Sequence, residues 1–301
     1  MRNIKIGSRA SRLAVVQAEL IISMLKEKFP KYTYEIVKMK TLGDKILDKT
    51  LDKIGGKGLF VKEIQSALIN EKVDLAVHSM KDMPSETLDE LVLACITKRE
   101  DPRDVLVTKD HLSLKELPYG AKIGSSSLRR QAQILKLRED IKVVPIRGNV
   151  ETRLGKIETE EMDGVILAAA GLNRLGLNKR ISNYLDTENF IPAVGQGALG
   201  CEARKNDREV LSMLEAINDD ETYKCVMAER AFLKLLEGGC HAPIGAYGHV
   251  EGNQIILTGM VASPDGKKVI KHHVQGDQTS FGDLGIQLGK GIIQQGGKSL
   301  V

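Results

Sequence analysis

Short apolar runs of strand length alternate with amphipathic runs through the first two-thirds of the chain. That alternation limits the fold more than any other feature. NIKIGS (Asn3 to Ser8) alternates polar and apolar residues, the period of a half-buried strand. From about Ser11 the spacing changes, and Leu13, Val16, Leu20, Met24 and Leu25 fall on one helical face. YEIVKM resumes strand character near Tyr34, a helix is expected from about Phe60 to Asn70, and DLAVHS (Asp74 to Ser79) suits a buried strand. LVLACIT and DVLVT bracket a charged turn, KREDPRD (Lys98 to Asp104), which reads as a crossing point between lobes.

The cycle then restarts. AKIGSSS enters a helix at SLRRQAQILKLR, KVVPIRGN enters a helix at VETRLGKIETEE, and DGVILAAAGLNRL reads as a strand and a tight turn. Such repetition predicts α/β units with mainly parallel sheets. PAVGQGALGCEAR (Pro192 to Arg204), rich in glycine, reads as a second crossover. After about Asn218 the pattern changes. A helix from Glu221 to Leu236 is followed by QIILTGMVAS and KKVIKHHV, hairpin strands around the turn SPDGK. A small third domain of α+β type is expected there.

Composition excludes several classes. The 301 residues allow two or three compact units. With 42% hydrophobic and 28% charged residues the balance is globular, and no apolar stretch is long enough for a membrane span. The N-terminus turns polar before a signal-peptide core forms, so a cytoplasmic location is expected, where four cysteines do not suggest a disulfide framework. A net charge of +4 from 44 basic and 40 acidic residues is too balanced for a general polyanion binder. Aromatics at 4% are too few for stacking on single-stranded nucleic acid.

Any basic site must therefore be local, and six arginines mark it. Arg9, Arg129, Arg130, Arg147, Arg153 and Arg174 each follow a predicted strand or open the next helix. Ligands of open α/β sheets bind at the carboxyl ends of the strands, where helix N-termini favour anions. Ser125 to Ser127 add capping hydroxyls. A planar guanidinium suits carboxylates, so the set points to a ligand with several of them. Taken singly, each arginine is more often a surface residue or a structural ion-pair partner. No P-loop pattern supports a phosphate ligand.

VDLAVHSMKDMP runs from a buried strand into His78, Lys81 and Asp82. A carboxylate there could move a proton or stabilise a cation, although Asp before a proline turn is also a common structural element. Of the cysteines, Cys95 and Cys225 read as buried apolar residues and Cys201 is ambiguous. Cys240, in LEGGCHAPIGAY, follows two glycines that let the chain turn sharply. No second cysteine has zinc spacing. Local chemistry leaves a structural loop, a catalytic thiol and a covalent anchor open, and no metal is expected.

Taken together, IGSRASRLAVVQA, GGKGLFVKEIQ, DLAVHSMKDMP, IGSSSLRRQAQ, IRGNVETRL, AAAGLNRLG, IPAVGQGALG, AERAFL and LEGGCHAPIGAY resemble the porphobilinogen deaminase (hydroxymethylbilane synthase) family, in its order, from residue 4 to about 247. The last fifty residues match only loosely. The resemblance implies two lobes like those of periplasmic binding proteins: domain 1 over 1–98 and 198–217, domain 2 over 99–197, and a third domain over 218–301. It implies a transferase that deaminates porphobilinogen, condenses four molecules head to tail on a dipyrromethane primer, and releases hydroxymethylbilane by hydrolysis. Cys240 would hold the primer through a thioether, and Asp82 would be the catalytic carboxylate. Lys81, Asp82, Ser125, Ser127, Arg129, Arg130 and Gly148 would contact the cofactor. Arg9, Ser11, Arg147, Arg153, Arg174 and Gln196 would meet the substrate, with Lys57 and Phe60 in a mobile cover. A monomer without nucleic-acid or membrane partners is expected. Ser125 stands where the family commonly has threonine, and Cys201 where an aliphatic residue is usual. The rival reading is a soluble two-lobed binding protein for a multi-carboxylate anion.

Overall fold

The computed structural model describes residues 2–41, 61–237 and 242–300. The chain forms two compact units, 1–99 with 198–223 and 100–197 with 224–301.

Unit 1 begins with β1 (Asn3–Arg9), α1 (Arg12–Lys28) and β2 (Thr33–Met39). It continues through α2 (Lys62–Ile69), β3 (Leu75–Ser79) and β4 (Leu91–Ile96). Its described strands form one sheet, β2-β1-β3-β10-β4, in which β10 (Leu199–Arg204) belongs to the returning chain. β1 is parallel to β2 and β3, while β10 is antiparallel to both β3 and β4. Four of these five strands therefore point the same way and β10 is reversed. Helices cover both faces. Ala18, Ile21 and Leu25 of α1, with Val210, Met213 and Leu214 that follow β10, pack with Ile4, Ile6 and Leu75 on one side. Ile64 and Leu68 of α2 pack with Ala76 and Leu91 on the other.

Unit 2 repeats the plan. β5 (Asp104–Thr108), β6 (Lys122–Gly124), β7 (Lys142–Val144), β8 (Gly164–Ala168) and β9 (Asn183–Leu185) assemble as β7-β6-β8-β5-β9. β6 is parallel to β7 and β8, and β5 is antiparallel to β8 and β9. Again one strand of five is reversed, and it is the strand entered directly from a crossover. Alternation along β5 sorts its side chains. Val105 and Val107 face a core with Leu154, Ile157 and Leu172, while Leu106 faces one with Ile123, Ile134 and Phe190. The intervening helices are α3 (Leu128–Leu137), α4 (Val150–Thr159) and α5 (Ala169–Arg174). α5 replaces the tight turn expected after β8, because AAAGLNR has the small residues to wind directly from a strand end.

After α6 (Arg208–Glu215) in unit 1, α7 (Asp220–Leu235) leads to β11 (Ile244–Glu251), β12 (Gln254–Ala262), β13 (Val269–Asp277) and α8 (Phe281–Gln294). The three strands form an antiparallel sheet, with β12 and β13 as the expected hairpin. Phe232 of α7 and Leu288 and Ile292 of α8 pack with Ile255 and Leu257 on this sheet. The helices approach closely at Gly285, where a Cβ would collide with the Ala228 carbonyl. This sheet packs within unit 2 through Met260 and Ala262 against Ala132 and Ile191.

An ionic staple closes unit 1 at its N-terminus. Arg2 bridges Asp74 at 2.6 Å, Asp207 at 2.7 Å and Glu209 at 2.6 Å, and Arg204 reaches Asp207 at 3.0 Å. The Arg2 hydrogen bonds hold Asp207 and Glu209 below the usual carboxylate range. Folded values lower than unfolded ones give stability that is present above the unfolded pKa and is lost as pH falls through the folded values. Arg2→Ala is therefore expected to cost about 1 kcal/mol near neutral pH, the staple being partly exposed. That difference should shrink in urea titrations as pH falls below the usual carboxylate range.

Candidate active-site residues

In unit 1 the candidates share one sheet edge. β1 and β3 are parallel neighbours with Ile6 opposite Leu75 and Gly7 opposite Ala76, so both strands end on the same side. Arg9 closes β1, and Ser11 caps α1, its side chain accepting from the Ala14 amide at 3.4 Å. β3 ends at Ser79 and passes into a single 3-10 turn, Met80–Asp82, which presents Lys81 and Asp82 half-buried. The turn is pinned on both sides. The Met80 amide donates to the Ala198 carbonyl at 3.0 Å, and the Met83 amide to the Met80 carbonyl at 3.2 Å.

Gln17 and Glu202, which the sequence alone does not mark, hold this edge together with His78. Gln17 of α1 exchanges hydrogen bonds with the Ser79 hydroxyl at 3.0 and 3.2 Å. Glu202 of β10 is fully buried and accepts from the Gln65 amide at 3.0 Å. Nε2 of His78 lies 3.4 Å from Glu202, close enough for an ion pair but not aligned as a hydrogen bond. For Glu202 the only trace in the sequence is a carboxylate within the run LGCEAR.

In unit 2 three parallel strands end together. β6 delivers Ser125, Ser127, Arg129 and Arg130; β7 delivers Arg147, Gly148 and Arg153; β8 delivers Arg174. Ser127 caps α3 by accepting from the Arg130 amide, and the buried Ser125 hydroxyl accepts from the Ser127 amide at 3.2 Å. Asn149 caps α4, and the Arg153 Nε donates to the Gly148 carbonyl at 2.9 Å. Gly148 has φ +116°, and a Cβ there would meet Thr152 at 2.6 Å, so only glycine suits this bend. Arg174 donates to the Gly197 carbonyl at 2.6 Å. Burial lowers its guanidinium to about 10 despite nearby Glu100, leaving it cationic near neutral pH.

Arg129 and Arg130 stand apart from the other arginines because both are buried on Asp104, the first residue of β5. Arg129 bonds Asp104 and the Ile191 carbonyl, each at 2.6 Å. Arg130 bonds Asp104 at 2.7 and 2.9 Å and the Ile166 carbonyl at 2.9 Å. Burial pushes the Asp104 carboxyl up, but Arg129 and Arg130 hold it well below the usual range. Burial also lowers Arg129, which as a guanidinium stays charged. Two cations over one anion leave the cluster with a net positive charge. Gln196, expected at a ligand, is buried here: its amide donates to the Pro102 carbonyl at 2.7 Å and to Asp104 at 3.1 Å. It thereby joins the two crossing segments, as does the Glu100 amide on the Gly197 carbonyl.

Glu229, fully buried on α7, accepts from the amides of Gly195 at 2.7 Å and Gly248 at 2.9 Å. It ties the second crossover to β11. Lys57, Phe60 and Cys240 lie outside the described residues. Cys95, Cys201 and Cys225 are all buried. Among the described residues no group of three metal-ligating side chains occurs, and no helix is long and apolar enough to cross a membrane.

Comparison with known proteins decides the family. Residues 4–212 match the family model "porphobilinogen deaminase, dipyromethane cofactor binding domain", and residues 223–294 match "porphobilinogen deaminase, C-terminal domain". The chain belongs to the porphobilinogen deaminase family. The porphobilinogen deaminase of Alkaliphilus metalliredigens is 73% identical over the whole of this chain and 95% of its own length. That of Bacillus subtilis is 49% identical, again over the whole chain and 96% of its own length. Among solved structures, a periplasmic binding protein of Salmonella typhimurium is 15% identical, with TM-score 0.42 over 74% of this chain and 94% of its own. The aliphatic sulphonate binding protein of Escherichia coli is 13% identical, with TM-score 0.41 over 78% of this chain and 70% of its own. With the family come a transferase activity in tetrapyrrole biosynthesis and a dipyrromethane cofactor.

The donor set fits that cofactor. A dipyrromethane carries acetate and propionate groups. The described residues offer a net positive buried cluster at Arg129 and Arg130, helix N-termini at α3 and α4, and further guanidinium groups at Arg147, Arg153 and Arg174.

Proposed function

We propose that this chain converts porphobilinogen to hydroxymethylbilane with the residues that end its parallel strands. The observation that carries this reading is their clustering: within each unit, adjacent parallel strands deliver them to one edge. Cys240 would hold the cofactor through a thioether, with Lys81, Asp82, Ser125, Ser127, Arg129, Arg130 and Gly148 contacting it. When bound, the dipyrromethane supplies the free pyrrole carbon that attacks the activated substrate.

The chain's own residues do the rest. Loss of ammonia from porphobilinogen leaves an electron-poor cation on the substrate. Asp82 accepts hydrogen bonds from pyrrole N–H groups, stabilises that positive charge and assists proton transfer. Arg9, Arg147, Arg153 and Arg174, with the Ser11 hydroxyl, bind the acetate and propionate groups. Paired charges of this kind fix orientation as well as affinity. Lys57 and Phe60 cover the substrate, and Gln196 acts from behind by fixing the crossovers. For this division of labour we propose three domains, 1–98 with 198–217, 99–197 and 218–301, within the two compact units. We further propose that it works as a cytoplasmic monomer without nucleic-acid or membrane partners; the near-balanced charge argues against general polyanion binding.

Purified protein given porphobilinogen is expected to release one ammonia per molecule consumed and four per hydroxymethylbilane formed. Stoichiometric binding without ammonia release would instead favour a receptor for a multi-carboxylate anion.

A further inference from the structure

The departure at Cys201 places a second thiol in front of Cys95. β10 and β4 are antiparallel, and Cys201 and Cys95 are direct register partners. Directly opposed residues of an antiparallel pair have Cα atoms about 4.5–5.5 Å apart, inside the window of about 4.4–6.8 Å that a disulfide spans. Opposed side chains share a face, and both cysteines are fully buried in one core cluster with Val77, Leu199 and Met213. The strand register shifts immediately after Cys201, so the ladder is locally disrupted beside the pair.

We propose that Cys95 and Cys201 form a site for a reversible intramolecular disulfide. The co-reactant is hydrogen peroxide, small enough to reach thiols that a bulky disulfide cannot. One thiolate attacks the peroxide oxygen to give a sulfenic acid and water. The second thiol displaces the hydroxyl from that sulfur, forming the S–S bond and a second water. Two thiol hydrogens and two electrons leave the protein, and the peroxide is reduced. The neighbouring Cys95 thiol and burial push the Cys201 thiol up, so oxidation is slower than at an exposed thiol. The bond would close a loop of about a hundred residues, constraining the unfolded chain strongly.

The test treats the cofactor-loaded protein with hydrogen peroxide under native conditions, alkylates remaining thiols in denaturant, and maps peptides. The expected result is a linked peptide joining Cys95 to Cys201, lighter by two hydrogen atoms than its parts and released by dithiothreitol. The oxidised protein should also unfold about 5 °C or more higher than the reduced form. Neither change should occur in Cys201→Ala or, if that variant folds poorly, in Cys95→Val. Full alkylation of both cysteines, separate over-oxidation of each, or linkage to Cys225 or Cys240 would overturn the proposal. So would a linked peptide with an unchanged unfolding midpoint.

Discussion

Asp82→Asn is expected to fold normally, to carry its cofactor, and to turn over porphobilinogen at least about 100-fold more slowly than the native chain. The amide keeps the size and one acceptor oxygen of the carboxylate but loses the charge. If Asp82 stabilises a cation on the substrate, the loss falls on kcat and leaves KM nearly unchanged, because the charge develops only as ammonia departs. The half-buried 3-10 turn gives the geometry for this: it is pinned by the Met80 amide on Ala198 and follows a strand whose end is tied to Gln17. Steady-state rates with intact mass on the same sample make the check. Near-normal turnover would remove Asp82 from the chemistry.

Asp104→Ala has the largest expected effect on stability. It leaves Arg129 and Arg130 buried side by side without their shared carboxylate. Removing one partner of a buried ion pair costs about 3–5 kcal/mol, a large fraction of the roughly 5–15 kcal/mol that stabilises a typical protein. Gln196 would also lose its hydrogen bond to Asp104. Urea unfolding should shift by that amount, and Asp104→Asn by less, since an amide oxygen can still accept. Stability from the native carboxylate is present above its unfolded pKa and is lost only as pH falls through its depressed folded value. The wild-type advantage over Asp104→Ala should therefore persist through mildly acidic pH. A loss below about 1 kcal/mol would show that the cluster is structurally neutral.

How much of this could be read from the sequence depends on how far apart the interacting groups lie. Strand and helix alternation is local, and it placed the α/β units, both crossovers and the hairpin of β12 and β13. The strand ends carrying Asp82 and the arginines follow from the same pattern. Strand direction is not local. DVLVT and LGCEAR look like any buried strand, and only the assembled sheets reveal β5 and β10 as the reversed ones. The six-residue α5 reads from sequence as a turn, because a glycine and two alanines in AAGLNR give no periodic signal over so short a span. Arg129 and Arg130 were correctly set at a helix start, but their partner Asp104 lies in the crossover turn far upstream. The family resemblance implies Gln196 at the substrate, whereas its buried amide serves the crossovers. Glu229 sits among apolar and charged residues in a mixed helix, and nothing local distinguishes its buried acceptor role from that of a surface carboxylate.

Covalent attachment of the cofactor at Cys240 is the central claim, and intact mass followed by peptide mapping tests it directly. An excess mass equal to two linked pyrrole units, localised to the LEGGCHAPIGAY peptide, is the predicted result. A Cys240 that is unmodified, and stays unmodified after incubation with porphobilinogen, would contradict it.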